Sequence, residues 1–137
     1  MKYFSIKELC KSNTAIRLKI NNTPSKDIEL RLKSFIEEVL DPIREKYGKP
    51  ISVSSGYRCE ALNKAVGGAK SSFHLKGCAA DLYCKTNAQT KEVFNVAKQL
   101  GKYTELFYER SGSSIWVHIA YDPSSKKKVI NDNFIVK

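Results

Sequence analysis

Ser114-Ile115-Trp116-Val117-His118-Ile119-Ala120-Tyr121 is the stretch that decides how the chain is read. Successive side chains of a strand point to opposite sides, so Ile115, Val117, Ile119 and Tyr121 share one face. That face is apolar and belongs against a core. Ser114, Trp116, His118 and Ala120 share the other, which sets an imidazole off the core beside an indole able to wall a pocket. Immediately upstream, Arg110-Ser111-Gly112-Ser113 reads as a turn and residues 104–109 as a partner strand.

Working outward toward the N-terminus, residues 87–100 read as a helix with Val93, Phe94, Ala97 and Leu100 inward and Gly101 as its stop. Residues 80–84 read as a strand, residues 59–66 as a helix ended by Gly67-Gly68, and Ile51-Ser52-Val53-Ser54 as a short alternating strand. Residues 25–47 carry Ile28, Leu32, Phe35, Ile36, Val39, Leu40 and Ile43 at helical spacing, one buried stripe, with a kink or break expected at Asp41-Pro42. Ser5-Ile6-Lys7-Glu8 has capping-box spacing and opens a short helix. Toward the C-terminus, Val129-Ile130 and Phe134-Ile135-Val136 read as a final hairpin. Helices mainly precede strands and the strand links are short. That order predicts an α+β fold, an antiparallel sheet with helices packed on it.

The chain has 137 residues, which predicts one domain over 1–137, and the expected state is a monomer. Hydrophobic residues at 42% and charged residues at 28% exclude a disordered or fibrous chain. No apolar run reaches the roughly 20 residues of a transmembrane segment. The opening Met1-Lys2-Tyr3-Phe4-Ser5-Ile6-Lys7-Glu8 has no apolar h-region, so no signal peptide is expected. The net charge is +10, which favours polyanionic partners. It is spread along the chain: residues 1–70 hold 14 basic and 8 acidic side chains, residues 71–137 hold 10 and 6. Such a distribution argues for a solvated basic surface with no specific nucleic-acid groove. Cys10, Cys59, Cys78 and Cys84 form no Cys-x-x-Cys pair and are expected as free thiols.

The chain holds only two histidines, His74 and His118. His74-Leu75-Lys76-Gly77-Cys78-Ala79-Ala80-Asp81 sets a histidine and a carboxylate seven residues apart. A straight strand would put them on opposite faces. A turn at Gly77 can bring both to one point, and small residues at 78–80 leave room. Two histidines and a carboxylate form a three-ligand set for catalytic Zn2+, with the fourth position left for water. Two unrelated histidines, or a structural zinc on Cys78, Cys84 and His74, are the competing readings.

Three ordered motifs bear on that choice: Ser54-Ser55-Gly56-Tyr57-Arg58, Ser72-Phe73-His74-Leu75-Lys76-Gly77-Cys78-Ala79-Ala80-Asp81, and Trp116-Val117-His118. Together they resemble the zinc D-Ala-D-Ala carboxypeptidase family, which includes L-alanyl-D-glutamate phage endolysins and shares its fold with the hedgehog signalling domain. Its pattern Ser-x-His-x-x-Gly-x-Ala-x-Asp, followed by a late histidine on a strand, is met at every constrained position. Phe4-Ser5-Ile6-Lys7-Glu8-Leu9, Asp41-Pro42-Ile43-Arg44, and Leu62-Asn63 with Val66-Gly67-Gly68 are similar to the small single-domain phage and bacterial branch. The resemblance covers about residues 3–121.

The resemblance implies that His74, Asp81 and His118 are the metal ligands. It implies that Arg58 steadies a substrate carbonyl or carboxylate and that Ser72 contacts substrate. Trp116 and Tyr57 are the further expected substrate contacts, although Tyr57, Tyr103 and Tyr108 also read as packing residues. Many relatives carry an acid three residues before the last histidine; here that position is Ile115. The small-branch arrangement places an acid at the end of the preceding strand, which makes Glu109 the expected general base and Glu105 the fallback. Glu105, Phe107 and Glu109 share one strand face, so periodicity does not choose between them. Phe73, where Gln is frequent, and Thr104-Glu105, where Asp-Gln is frequent, are further departures. The implied function is a zinc metallopeptidase acting on peptidoglycan stem peptides, as a D-Ala-D-Ala carboxypeptidase or an L-Ala-D-Glu endopeptidase. A chain of this kind, made in the cytoplasm, is expected to reach the cell wall by phage-type release or virion delivery. The alternative is a non-catalytic zinc-binding or wall-binding module on the same fold.

Overall fold

The computed structural model describes residues 1–136. Five strands form one sheet in the order β1-β2-β4-β3-β5: β1 (Ser52–Ser55), β2 (Ala79–Tyr83), β3 (Glu105–Ser111), β4 (Ser114–Ala120) and β5 (Val129–Val136). The expected α+β class holds. Three of the four pairings are antiparallel, and β5 lies parallel to β3.

The expected C-terminal hairpin does not form; residues 129–136 are one strand. After β4, the link is drawn under the start of β3 by Thr104. Its Oγ1 accepts the Asp122 N–H at 2.9 Å and its carbonyl accepts the Val129 N–H at 2.8 Å. The chain therefore emerges beyond β3, running in β3's own direction. The polar residues that suggested a hairpin turn are taken up as a bulge. Between the pairs Phe107–Asn131 and Glu109–Ile135, β3 advances by two residues and β5 by four, and Asn131 Oδ1 accepts the Asn133 N–H at 3.0 Å.

The expected helix over 25–47 forms, opened by Ser25, whose side chain accepts the Ile28 N–H. Its stripe of Leu32, Phe35, Ile36, Val39, Leu40 and Ile43 is buried, with Ile28 half-buried. Of the kink or break expected at Asp41-Pro42, the break is absent, and an irregular turn stands just before it. Instead α3 (Lys26–Phe35) passes through a π-helical stretch, Ile36–Leu40, directly into α4 (Asp41–Tyr47). Pro42 has no N–H, and its ring crowds the carbonyl four residues back. In the wider turn the Asp41 N–H reaches the Ile36 carbonyl, which absorbs the misfit. The buried Asp41 carboxylate then accepts the N–H groups of Lys2, Tyr3 and Phe4 at 2.6, 3.0 and 3.3 Å, which carries Phe4 into the core.

At the N-terminus α1 (Ile6–Cys10) is capped by Ser5. A further short helix, α2 (Asn13–Leu18), not among the expected elements, follows a cap at Ser12. After α5 (Glu60–Ala65) and β2 comes α6 (Asn87–Leu100), opened by the Thr86–Gln89 capping box. It lies across β2, β4 and β3, with α4 packed on it. Val93, Phe94 and Ala97 face the sheet, while Leu100, expected inward, is exposed at the helix end. Ala80, Leu82, Leu106, Tyr108, Val117 and Ile119 complete the core from the sheet side. The opposite sheet face is left for polar side chains.

Candidate metal centre and its cleft

Strand register brings the polar face together. Asp81 on β2 pairs with His118 on β4, and His118 pairs in turn with Phe107 on β3. Ser55 on β1 stands opposite Asp81 at the other end of the row. One row across four strands therefore carries a hydroxyl, a carboxylate, an imidazole and an aromatic ring. Glu109 and Trp116 form the adjacent cross-strand pair, and Trp116 Nε1 donates to Glu109 Oε1 at 2.8 Å.

His74 arrives from outside the sheet, on a 3-10 turn, Phe73–Lys76. Ser72 Oγ opens that turn by accepting the His74 N–H at 3.2 Å. Gly77 ends it with φ 72°, in the left-handed region that favours glycine. The loop after β1 then wraps the histidine. The Gly56 carbonyl accepts from His74 Nδ1 at 2.7 Å, and the Arg58 N–H donates to the His74 carbonyl at 3.1 Å. On its other side the loop meets α1, where the Tyr57 N–H donates to the Leu9 carbonyl at 2.7 Å. A Cβ on Gly56 would lie 2.2 Å from that carbonyl oxygen, so only glycine fits between α1 and His74.

The tautomers follow from the partners. A carbonyl only accepts, so His74 Nδ1 carries a proton and Nε2 is turned to Asp81 Oδ1, 3.3 Å away. His118 lies between two carboxylates, with Nδ1 3.0 Å from Asp81 Oδ1 and Nε2 2.8 Å from Glu105 Oε1. Burial pushes the His118 pKa down, but the hydrogen bonds to Asp81 and Glu105 outweigh it and raise it to about 9. Burial likewise pushes Asp81 up, and the bonds from His118 and His74 reverse this, holding it well below the usual carboxylate range. Phe107 stacks on the His118 ring at 5.4 Å, and the two imidazoles stand 5.3 Å apart.

His74, Asp81 and His118 each offer a donor atom within 4.8 Å of the others. Tetrahedral donors roughly 2.0–2.1 Å from zinc stand roughly 3.3 Å from one another. The 3.3 and 3.0 Å separations from Asp81 Oδ1 to the two imidazoles fit that figure. Glu105 on the far nitrogen of His118, and the Gly56 carbonyl on the far nitrogen of His74, are the outer partners that orient histidine ligands in metal sites. The residues present therefore fit a zinc ion held through His74 Nε2, Asp81 Oδ1 and His118 Nδ1. Among the described residues neither Cys78 nor Cys84 joins this group, and all four cysteines are free.

A cleft of about 460 Å³ opens over the three residues, lined by Arg58, Ser72, Glu105, Glu109 and Trp116 among others. The Arg58 side chain is 17% exposed. Its Nε donates to Ser55 Oγ at 3.0 Å, and NH2 lies 3.7 Å from Asp81 Oδ2. Burial lowers the Arg58 pKa, against the opposing charges of Asp81 and Glu109.

Of the expected site residues, Glu109, Arg58, Ser72, Trp116, His74, Asp81 and His118 all line the cleft. Tyr57 does not; it packs against the core, because the loop that presents Arg58 turns residue 57 the other way. Ile115 also packs against the core, so the cleft's glutamates come from β3 and not from that position. Ser55, Gly56 and Asn63, which stood in the motifs without a role of their own, and Asn22, which stood in none, are outer partners of the site. Asn22 ties the loops, its Nδ2 donating to the Cys10 and Tyr57 carbonyls and its Oδ1 accepting the Cys59 N–H. Its one signal was a polar side chain beside Asn21 and Thr23-Pro24, which an ordinary loop would show equally.

The family model described as Peptidase M15 matches residues 2–120, a span that contains every cleft residue named above. No curated protein matches the chain.

Proposed function

The chain belongs to the M15 peptidases, and from that premise we propose that it is a zinc-dependent hydrolase of peptide bonds in peptidoglycan stem peptides. The observation that carries the reading is the convergence of His74 Nε2, Asp81 Oδ1 and His118 Nδ1 beneath a cleft that also holds Arg58 and Glu109. When bound there, zinc supplies Lewis-acid polarisation of a carbonyl and a water acidified toward about pH 7.

The protein's own groups divide the remaining work. Glu109 takes the proton of the attacking water and returns it to the leaving amine. Trp116 Nε1 holds Oε1 of that carboxylate. Glu105 is engaged with His118 Nε2 and orients the ligand, which is why the base is assigned to Glu109 and not to Glu105. Arg58 donates to the substrate carbonyl oxygen as it gains charge. The Ser72 hydroxyl accepts the His74 N–H while lining the same cleft, which suits contact with substrate from the rim. A net charge of +10 attracts the protein to an anionic wall, and delivery by phage-type release or in a virion would bring it there.

The test is digestion of purified peptidoglycan by the zinc-loaded chain, with new termini identified by mass spectrometry. New stem-peptide termini, absent with Glu109→Gln, are expected, and their identity assigns the bond. Stoichiometric zinc with no new termini would overturn the peptidase reading in favour of a binding module.

A further inference from the structure

Asn63 has no part in the chemistry above, yet it is 4% exposed and every polar group on it is engaged. Its Oδ1 accepts from Arg58 NH1 at 3.2 Å. Its Nδ2 donates to the Ala69 carbonyl at 2.9 Å, and its own carbonyl accepts the Gly68 N–H at 2.8 Å. One residue of α5 thus joins the cation of the cleft to the 66–69 segment of the cleft's rim. The rim closes tightly on that pair. A Cβ added at Gly68 would stand 2.0 Å from Asn63 Oδ1 and 2.9 Å from Arg58 NH1. Gly68 is required there for space; its φ is not in the left-handed region.

An arginine side chain reaches its target through several rotatable bonds, and a guanidinium tethered at one nitrogen can still swing. Here two nitrogens are held from different elements, Nε by Ser55 at the end of β1 and NH1 by Asn63 on α5. Two bonds to a rigid planar fork leave it one orientation, and its remaining N–H groups then keep one direction. Asp81 Oδ2, 3.7 Å from NH2, adds charge attraction, but the two neutral acceptors supply the direction.

We propose that Asn63 is a positioning residue. It locks the Arg58 guanidinium to the Gly68–Ala69 rim, so that the cleft presents a cation of set orientation to the substrate. The catalytic part of this inference rests on Arg58 acting on substrate as proposed above; the coupling between Asn63 and Arg58 does not.

The experiment uses the full zinc-loaded chain, ¹⁵N-labelled, as wild type, Asn63→Ala, Gly68→Ala, Arg58→Ala and the Asn63→Ala/Arg58→Ala double variant. The first readout, solvent exchange of the Arg58 Nη1–H group that Asn63 Oδ1 accepts from, needs no activity. Slow exchange in the wild type and fast exchange in Asn63→Ala are expected, with zinc content unchanged. Should Asn63→Ala fail to fold, Gly68→Ala, whose Cβ pushes on the same pair, gives the same comparison. The second readout is kcat/KM on a stem peptide. Asn63→Ala is expected to lower it about 10-fold, the scale of one hydrogen bond to a charged group. In the Arg58→Ala background the same change should alter it less than about 2-fold, because residues acting through one another are not additive. Multiplying losses, or Arg58 exchange unaltered in both Asn63→Ala and Gly68→Ala, would overturn the proposal. A wild-type chain that cleaves no stem peptide would overturn the peptidase reading and leave the exchange comparison to decide the coupling.

Discussion

β3 and β4 present two faces built on the same backbone ladder, and the faces are held in opposite ways. Toward α6 they offer Leu106, Tyr108, Val117 and Ile119, all buried among aliphatic and aromatic neighbours. Toward the cleft they offer Glu105, Phe107, Glu109, Trp116 and His118. The first face is stabilised by removing apolar surface from water, a non-directional effect that tolerates shape-conserving exchange. On the second, the polar groups are one another's partners: His118 with Asp81 and Glu105, Glu109 with Trp116. Removing one member there takes a partner from a buried polar neighbour. With the cleft acting as proposed, stability and chemistry would separate across the thickness of one sheet, and substitutions should report the separation.

The largest effect is expected from His118→Ala, which should lose most of the zinc and the activity while leaving the apolar face intact. Full zinc retention by metal analysis would remove His118 from the ligand set. Next, Glu109→Gln should keep zinc and fold yet cut kcat by about 10²-fold or more, the usual scale for a lost general base. If Glu105→Gln is the inactive variant instead, the division of labour between the two glutamates is reversed. On the opposite face, Leu106→Ala should cost about 2–5 kcal/mol in urea unfolding. The zinc content and kcat of the protein that remains folded should stay near wild type. Loss of zinc in proportion to stability would show that the two faces are not separable.

Glu105→Gln should be milder, because Gln retains an acceptor for His118 Nε2 but loses the charge. Zinc affinity by chelator competition should fall about 10-fold, the lower end for an outer-shell partner. The smallest effect is expected from Cys78→Ser and Cys84→Ser, which should keep stoichiometric zinc. Thiol titration of denatured, unreduced protein should count all four cysteines as free.

The candidate metal group was legible in shorter stretches of sequence than the fold around it. His74, Asp81 and His118 sit in short patterns whose residue types have few alternative uses, and period-2 alternation put His118 and Trp116 on the non-core face. The same alternation left Glu105 and Glu109 equivalent. What separates them is position along the strand: Glu105 reaches His118 Nε2, while Glu109 stands directly opposite Trp116. Asn63 and Asp41 stand in stretches that carry the resemblance, but nothing local gave either a role, because a polar residue on a helix is ordinarily read as solvated. Only the arrival of Arg58 at one, and of the Lys2–Phe4 backbone at the other, makes them buried anchors.

Sequence alone determined what depends on near neighbours in the chain: the apolar stripe of α3 and α4, the cap at Ser5, the start of the long helix at residue 25, the turn at Gly77, and the strand faces. These follow from periodicity and local hydrogen bonding, which act over a few residues. Tertiary structure alone decided the parallel placement of β5, the turning away of Tyr57, and the burial of Asp41 against the N-terminal backbone. Each depends on which groups far apart in the chain meet, Thr104 with Val129, Tyr57 with Leu9, Asp41 with the backbone of Lys2, Tyr3 and Phe4. Such meetings are selected by the packing of the whole chain, and no window of sequence contains both partners in their spatial relation.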